Sequence, residues 1–463
     1  MVKQFLPLVV GILVIAVVVL VLPNAVKYVS KASAISANLV VNYEGVLGQM
    51  PTPWRNLAQG GEEPKPMLSN VVSQVKTLRP EYIRIDHIYD AYEVVKNDGG
   101  VMTYDWSKLD KAVDEVLATG AKPFFSLSYM PSAISKGDVV ETPKNWNDWS
   151  NLVKATIEHY SGKKQRNLVN VIYECWNEPD LFGDFKTYGD KNYLTLYKYC
   201  SIGATSAKDS NEFELGGPAV TALYQNWVER LIKFVDAENL RMDFVSWHRY
   251  DMSIDQFEKD AATAREWASN IPALVNLKYY VTEWGHNSKN DPGYDNMFGA
   301  IHTIAGARAM MGQVHRAFVF EIKDGPGPTK KWGRWGMITH ENHGTLELKP
   351  RYHALKFLNT LGAYRIGLSG EGSHVKGIAS TDDKGNIKLM VVNYDMAGKR
   401  SEAVPITFDN LPVKSFKYSR RDFTGNDALT KTVKTINIAT DSASWKTTEL
   451  LGPNSAVMLS LDF

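Results

Sequence analysis

The segment VNVIYECWNEPD at Val169–Asp180 decides the fold. Its first part, Val169–Trp176, is a β-rich and mostly apolar run, which is typical of a parallel strand whose outer face is covered by helices. Similar runs occur at Arg55–Gln59, Tyr82–Asp86, Lys122–Ser128, Phe213–Gly217, Asp243–His248, Tyr279–Glu283 and Arg316–Glu321. Amphipathic helical patterns separate them. Eight strand-then-helix units over roughly 300 residues predict an α/β protein with a (β/α)8 TIM barrel.

The barrel pattern spans residues 35–362, and a different pattern follows Gly362. Short strand-like runs succeed one another there. The turn Asp383–Asn386, with sequence DKGN, joins two of them as a hairpin, because its Gly tolerates the positive φ that such turns need. We expect residues 363–463 to form a C-terminal β-sandwich that packs on the barrel as an accessory domain. Sugar binding by this domain is the alternative.

The N-terminal segment, residues 1–34, contains an apolar run from Phe5 to Leu22. At about 1.5 Å per residue, a helix over this run is about 27 Å long, close to the thickness of a bilayer's hydrocarbon core. The run is longer than the core of most cleaved signal peptides, although Ala32-Ser33-Ala34 has the pattern of a cleavage site. We favour an uncleaved signal anchor, which is a transmembrane helix, over a cleaved signal peptide. In both cases the rest of the chain is expected outside the cytoplasm, either held at the membrane or secreted.

Composition excludes several classes of function. The formal net charge is +1 and charged residues make up 22%, so the chain has no electrostatic bias toward nucleic acid. Cys175 and Cys200 are expected to be buried free thiols. Gly216-Gly217-Pro218 ends the fifth strand, but Pro218 is unsuited to a phosphate-binding helix N-terminus. The stretch His340–His343, with sequence HENH, lacks the spacing that puts two His on one helix face. We therefore expect no metal and no cofactor.

Two glutamates mark the predicted active site. Glu178 follows the fourth strand and Glu283 ends the seventh, and catalytic groups of such barrels lie at the carboxyl ends of strands. A carboxylate at the end of a buried strand is costly unless it is paired or functional. Cleavage of a glycosidic bond needs two carboxyl groups, which stand about 5–5.5 Å apart when configuration is retained. We expect Arg84 to keep Glu283 ionised, and Trp176 and Trp284 to provide low-dielectric walls.

The motifs around these glutamates resemble clan A glycoside hydrolases, and most closely glycoside hydrolase family 39, the β-xylosidase and α-L-iduronidase family. The matching pieces, in the family's order, are Trp176-Asn177-Glu178-Pro179-Asp180, Gly216-Gly217-Pro218-Ala219, Ser246-Trp247-His248-Arg249-Tyr250, Thr282-Glu283-Trp284 and Lys349-Pro350-Arg351-Tyr352-His353-Ala354. The resemblance implies Glu178 as acid/base and Glu283 as nucleophile. It also implies that Asn177 binds the 2-hydroxyl of the cleaved sugar. His248 and Tyr250 would line that sugar and orient Glu283.

Strands two and eight depart from the family's pattern. The second strand carries Arg84-Ile85-Asp86-His87 where a shorter Arg-x-His pattern is expected, so His87 is a weaker candidate for sugar binding. After the eighth strand, Glu321 and Asp324 are candidates either for binding outer hydroxyls or for pairing with Lys323. Trp332 and Trp335 in the next loop are candidate platforms for sugar stacking. These departures leave the identity of the sugar open.

We interpret the chain as a retaining glycoside hydrolase acting on an oligosaccharide or polysaccharide, most simply an exo-acting β-xylosidase-like enzyme. An endo-acting glycanase on the same barrel is the alternative within this class, and we consider an iduronidase-like specificity the weaker one. A membrane-tethered carbohydrate-binding protein on a barrel without activity is the alternative from another class. A binding protein has no need for both Glu178 and Glu283, which favours the enzyme. Sequence does not indicate the oligomeric state.

Overall fold

The computed structural model describes residues 34–61, 67–269 and 271–463. Within these ranges, no helix has both the length and the hydrophobicity that crossing a bilayer requires. The apolar run Phe5–Leu22 lies outside the described residues, so the signal anchor stays a prediction.

The strands of the described residues, in chain order, are β1 (Leu39–Gln49), β2 (Asn56–Gln59), β3 (Tyr82–Ile85), β4 (Val95–Asp98), β5 (Val101–Tyr104), β6 (Lys122–Leu127), β7 (Val171–Cys175), β8 (Phe213–Val220), β9 (Phe244–Tyr250), β10 (Lys278–Gly285), β11 (Arg316–Phe320), β12 (Tyr364–Ser369), β13 (Val375–Thr381), β14 (Ile387–Asn393), β15 (Glu402–Asp409), β16 (Ser415–Phe423), β17 (Thr430–Ala439), β18 (Trp445–Leu451) and β19 (Ser455–Asp462). The α-helices are α1 (Val72–Thr77), α2 (Ser107–Ala118), α3 (Trp146–Tyr160), α4 (Tyr193–Ser206), α5 (Gln225–Ala237), α6 (Asp255–Ala268), α7 (Met297–Met310) and α8 (Pro350–Leu358). Short 3-10 helices occur at Pro53–Arg55, Pro272–Leu274, Pro292–Asp295 and Glu341–His343.

Eight parallel strands close into a barrel in the order β10-β11-β2-β3-β6-β7-β8-β9. These are the eight runs predicted from sequence, so the TIM barrel is confirmed. Buried apolar residues fill its interior, among them Phe124, Phe244 and Phe318, while a larger apolar layer lies between the strands and the surrounding helices. Helix α2 buries Val113 and Val116 in that layer, as its 3.6-residue periodicity predicts. Because all eight strands run in one direction, their carboxyl ends meet at one face.

The second domain is a curled sheet of nine strands, in the order β17-β16-β19-β14-β13-β12-β1-β15-β18. Its position after the barrel agrees with the predicted C-terminal sheet domain. The predicted boundary at residue 35 is wrong, because β1 pairs with β12 and β15 of this sheet rather than with the barrel. Leu39 and Val41 of β1 are buried beside Ile406 and Phe408 of β15. The domain therefore combines a segment that precedes the barrel in the sequence with the segment that follows it.

The second domain also contacts the barrel, including a loop at the barrel's carboxyl-end face. The Tyr394 hydroxyl donates a hydrogen bond of 2.7 Å to the carbonyl oxygen of Met252, two residues beyond β9. Arg308 of α7 forms an ion pair of 2.6 Å with Glu371 on the other side of the boundary. The hydrogen bond to Met252 fixes the loop that follows β9, and β9 ends in one of the candidate site residues, Tyr250.

Candidate active site

A cavity of about 670 Å³ lies at the carboxyl-end face of the barrel, with Glu178 and Glu283 in its lining. Glu178 follows β7 in the left-handed region, with a φ of 44°, and its N–H donates to the carbonyl of Ala219 at 3.0 Å. This bond ties the turn after β7 to the end of β8. Glu283 lies near the end of β10 and is buried. Both glutamates are thus held by strand ends, as the sequence predicts.

The two carboxylates are close together, with His248 between them. One oxygen of each carboxylate and a His248 ring nitrogen all lie within 4.8 Å of one another. His248 Nδ1 is 2.8 Å from Glu178 Oε1 and 3.5 Å from Glu283 Oε2. A separation near 5 Å suits direct attack by one carboxylate on the anomeric carbon, whereas a larger gap would leave room for a water molecule. The geometry is that of a retaining mechanism.

Arg84 on β3 joins three buried groups. Its Nη1 donates to Glu283 Oε1 at 2.9 Å, and its Nη2 donates to Asn177 Oδ1 at 2.7 Å. Its Nε donates to Glu174 Oε2 at 2.7 Å. The guanidinium is therefore in the position expected for it beside Glu283. It also orients the side-chain amide of Asn177, whose Nδ2 donates to the Tyr129 hydroxyl at 2.9 Å.

The charge state of Glu283 is set by opposing effects. The pKa of the Glu283 carboxyl is raised to about 7: burial is the largest cause, His248 and Arg84 oppose the rise, and the carboxylate of Glu178 adds to it. Burial lowers the pKa of His248, but Glu283 and Glu178 raise it by more, so the net change is upward. The Tyr250 hydroxyl donates to Glu283 Oε2 at 2.8 Å. The charge of Glu283 therefore depends on the charges of His248, Arg84 and Glu178 beside it.

The same three side chains could by geometry hold a metal ion. The guanidinium of Arg84 already places a positive charge 2.9 Å from Glu283, which disfavours a second cation there. Acid–base cleavage by two carboxyl groups needs neither a metal nor a cofactor.

The other predicted site residues divide into two groups. Asn177, Tyr250, His87 and Trp335 line the cavity, and His87 is held by a 2.8 Å contact from its Nδ1 to Asp90. His248 is fully buried. Its ring nitrogen lies closer to Glu178 than to Glu283, the residue that it is predicted to orient.

Glu321 and Trp332 do not line the cavity. Glu321 is buried, with its Oε2 3.3 Å from Gln59 Nε2. The Arg334 guanidinium lies between two Trp rings. Its central carbon is 5.4 Å from the ring centre of Trp332 and 3.7 Å from the ring centre of Trp335. Both side chains support the loop after β11 rather than facing the cavity.

Two predictions about neighbouring residues are wrong, and one of the alternatives for Glu321 and Asp324 is excluded. Trp176 and Trp284 point away from the cavity into the layer beneath the helices, where Trp176 packs on Trp149 and Trp284 on Phe257. Trp284 points outward because it follows the inward-pointing Glu283 on β10, and neighbouring side chains on a strand alternate. Trp176 lies just beyond β7, where its φ of 76° ends the extended conformation. Lys323 pairs with Glu341 at 3.1 Å, not with Glu321 or Asp324.

Asp324 is instead held by Lys349 at 2.6 Å. Residue proximity in the sequence suggested a local pair, but the chain folds back so that the start of α8 supplies the nearer cation.

Several residues of the site were missed. Glu174 is fully buried and was treated as part of an apolar strand, although a carboxylate inside such a run is a signal of a buried polar partner. Tyr129 lies two residues beyond the end of β6, and no motif marks it in the sequence. Arg334 and Lys289 line the cavity from loops whose course sequence does not specify.

The chain resembles known proteins in both sequence and fold. The family model described as "Glycosyl hydrolases family 39" matches residues 59–413. A β-xylosidase of Caldicellulosiruptor saccharolyticus is 25% identical over 417 residues, which make up 81% of this chain and 81% of that protein. A β-xylosidase of Geobacillus stearothermophilus is 26% identical over 325 residues, 60% of this chain and 61% of that protein. The crystal structure of a monomeric β-xylosidase from Caulobacter crescentus CB15 has the same fold, with a TM-score of 0.76 at 20% identity over 92% of this chain and 99% of that one.

Proposed function

Since the chain belongs to glycosyl hydrolase family 39 and is a retaining glycoside hydrolase of O-glycosyl compounds, we propose that it is a β-xylosidase-like enzyme that removes sugars from chain ends. The observation that carries the mechanism is the pair Glu178 and Glu283, whose nearest carboxylate oxygens lie within 4.8 Å. The two β-xylosidases above support the choice of sugar.

In the proposed first step, Glu283 attacks the anomeric carbon while Glu178 protonates the glycosidic oxygen, so the bond to the leaving group breaks. Arg84 and Tyr250 each donate a hydrogen bond to Glu283 and stabilise its ionised form. Asn177, held by Arg84 and Tyr129, is placed to bind the 2-hydroxyl, where a hydrogen bond strengthens at the transition state.

In the second step, Glu178 removes a proton from water, and the resulting nucleophile attacks the anomeric carbon of the glycosyl-enzyme. Glu283 then leaves and the sugar departs with its original configuration. His248, 2.8 Å from Glu178 and fully buried, is a positioning residue for this carboxyl through both proton transfers.

The test is cleavage of a panel of 4-nitrophenyl glycosides by the full-length chain in detergent, with the first-formed product followed by proton NMR. We expect the β-xyloside to be cleaved best and the first product to be the β-anomer. A first-formed α-anomer from that substrate would contradict the double displacement. Binding of sugars without cleavage of any glycoside or polysaccharide would favour the carbohydrate-binding alternative.

A uronic acid glycoside is a second candidate substrate, because three cationic side chains line the cavity: Arg249, Lys289 and Arg334. Arg249 is paired with Asp260 at 2.6 Å, whereas a carboxylate on the sugar would complement the charge of Arg334 and Lys289. The same panel distinguishes the two sugars if it includes an iduronide and a glucuronide. Preference for a uronide, lost in Arg334→Gln, would select this candidate over the xyloside.

We further propose that the enzyme works outside the cytoplasm, tethered by the N-terminal apolar run Phe5–Leu22. The run's length and hydrophobicity support this placement, and a glycan substrate outside the cell is consistent with it.

A further inference from the structure

The strand β9 ends in Tyr250, whose hydroxyl donates to Glu283, and the pairing of β9 with β10 stops at this residue. Beyond that point, the direction of the Tyr250 side chain depends on how the next two peptides are held. The Tyr250 ring has little free space, because a Cβ added at Gly285 would lie 3.2 Å from its Cδ1. A displacement of the following peptides would therefore move the hydroxyl away from the carboxylate, at a cost to the reaction.

Hydrogen bonds from both domains hold the segment Asp251–Met252. The Asp251 N–H donates to the carbonyl of Gly285 at 3.0 Å, which continues the pairing with β10. The Asp251 carbonyl accepts a hydrogen bond of 2.8 Å from Nε2 of His302 on α7. The next carbonyl, that of Met252, accepts the 2.7 Å hydrogen bond from the Tyr394 hydroxyl. Two of these partners belong to the barrel, and the third is supplied by the second domain.

The two side-chain donors are buried and pack on each other. The rings of His302 and Tyr394 meet edge to face, with their centres 5.6 Å apart. Burial lowers the pKa of His302 to about 3, and the nearby His286 adds to the decrease. The His302 ring is therefore neutral at neutral pH, and its Nε2 carries the hydrogen that the Asp251 carbonyl accepts. Burial also raises the pKa of Tyr394, so its hydroxyl keeps its hydrogen.

We propose that Tyr394 is a positioning residue for the nucleophile. Through the carbonyl of Met252 it fixes the segment that follows Tyr250, and so keeps the Tyr250 hydroxyl on Glu283. The second domain thereby takes part in the reaction, although none of its described residues lines the catalytic cavity. This inference rests on the proposed function and extends the machinery of that function beyond the barrel.

The test is kcat/KM against pH for Tyr394→Phe, with a dinitrophenyl glycoside of the sugar that the panel selects. Phe keeps the ring that packs on His302 and removes only the hydroxyl, and the ion pair of Arg308 with Glu371 still joins the domains. A less well placed Tyr250 stabilises the ionised nucleophile less, so the acidic limb should move to higher pH by about half a unit, with an about threefold lower kcat/KM below the limb. The other charged or titratable groups that face the nucleophile are unchanged in this variant: Arg84, Asp86, Tyr129, Glu178 and His248.

A double variant tests whether the effect passes through Tyr250. In Tyr250→Phe the hydrogen bond to Glu283 is already absent, so adding Tyr394→Phe should leave the acidic limb where Tyr250→Phe alone puts it. A shift that adds in full to that of Tyr250→Phe would overturn the proposal. A loss of kcat/KM that is equal at every pH in Tyr394→Phe, or no loss at all, would also overturn it, because a merely structural contact would leave the limb in place.

Tyr418→Phe is the matched control. Tyr418 is a buried tyrosine of the second domain whose hydroxyl donates to Glu449 at 2.6 Å, within the same domain. Its loss should lower the midpoint of unfolding in urea and leave the acidic limb in place. An equal movement of the limb in Tyr418→Phe would trace the effect to the stability of the domain and overturn the role of Tyr394. Failure of the unchanged enzyme to cleave any glycoside of the panel would instead overturn the proposed function.

Discussion

Replacing Tyr250 by Phe removes a single hydroxyl from the site and should move the acidic limb of the pH–rate profile to higher pH. The Tyr250 hydroxyl donates a 2.8 Å hydrogen bond to Glu283 Oε2. A hydrogen bond donated to a carboxylate stabilises the ionised form and lowers its pKa. Losing that bond therefore raises the pKa of Glu283, and the nucleophile becomes protonated at a pH where the unchanged enzyme is active.

The magnitude follows from the charge on the acceptor. A hydrogen bond to a charged group contributes about 1.5–3 kcal/mol, and one pKa unit corresponds to about 1.4 kcal/mol. The pKa of Glu283 should then rise by about one to two units from its value of about 7. Below pH 6 the ionised fraction, and with it kcat/KM, should fall by a factor of about 10 to 100 relative to the unchanged enzyme.

The assay is kcat/KM against pH with a dinitrophenyl glycoside, whose leaving group departs without protonation. This substrate removes the basic limb that the acid/base carboxyl would otherwise impose, so the acidic limb is seen by itself. Tyr129→Phe is the matched control, because the Tyr129 hydroxyl contacts Asn177 and not Glu283. Its acidic limb should stay in place. An acidic limb that stays in place in Tyr250→Phe, or moves to lower pH, would refute this account of how Glu283 is kept ionised.

Three further predictions concern the catalytic pair, the buried charges and the N-terminus. Glu283→Ala should abolish cleavage, and azide should restore turnover with a glycosyl azide of inverted configuration; the same inverted product from Glu178→Ala would reverse the two roles. Arg84→Met should lower the free energy of unfolding by about 3–5 kcal/mol, measured in urea, because Glu174 is left buried and unpaired. Adding Glu174→Met should recover part of that loss, and a further loss in the double variant would count against an ion pair. If the signal anchor is real, full-length protein should remain with membranes after a high-salt wash, whereas a soluble chain beginning near Ile35 would show cleavage.

The barrel and the catalytic glutamates could be predicted from the sequence because their signals are local. Each barrel strand is a short apolar run, and the polar residue that ends it is next to it in the chain. Glu178 and Glu283 stand at such ends, so the rule for parallel barrels was enough to bring them to one face. Arg84 follows from the same rule, whereas Tyr250 follows only from the family resemblance.

The errors have a common physical origin. Trp284 is next to Glu283 in the chain, but neighbouring side chains on a strand point to opposite faces. Trp176 lies beyond the end of β7, where a φ of 76° breaks that alternation. Pairing of Lys323 with Glu321 or Asp324 is one of two alternatives that the sequence allows, and the fold supplies Glu341 as its partner instead. Adjacency along the chain is therefore a poor guide to which side chains meet.

By itself, the sequence determined the alternation of strands and helices, the family, and the two carboxylates proposed to perform the reaction, since each depends on residues within a few positions of one another. Tertiary structure alone decided that β1 leaves the barrel segment for the second sheet, and that Arg84 spans Glu174, Asn177 and Glu283. These features depend on pairing between residues far apart in the chain. Their energies come from burial and from hydrogen-bond geometry, which exist only once the chain is folded.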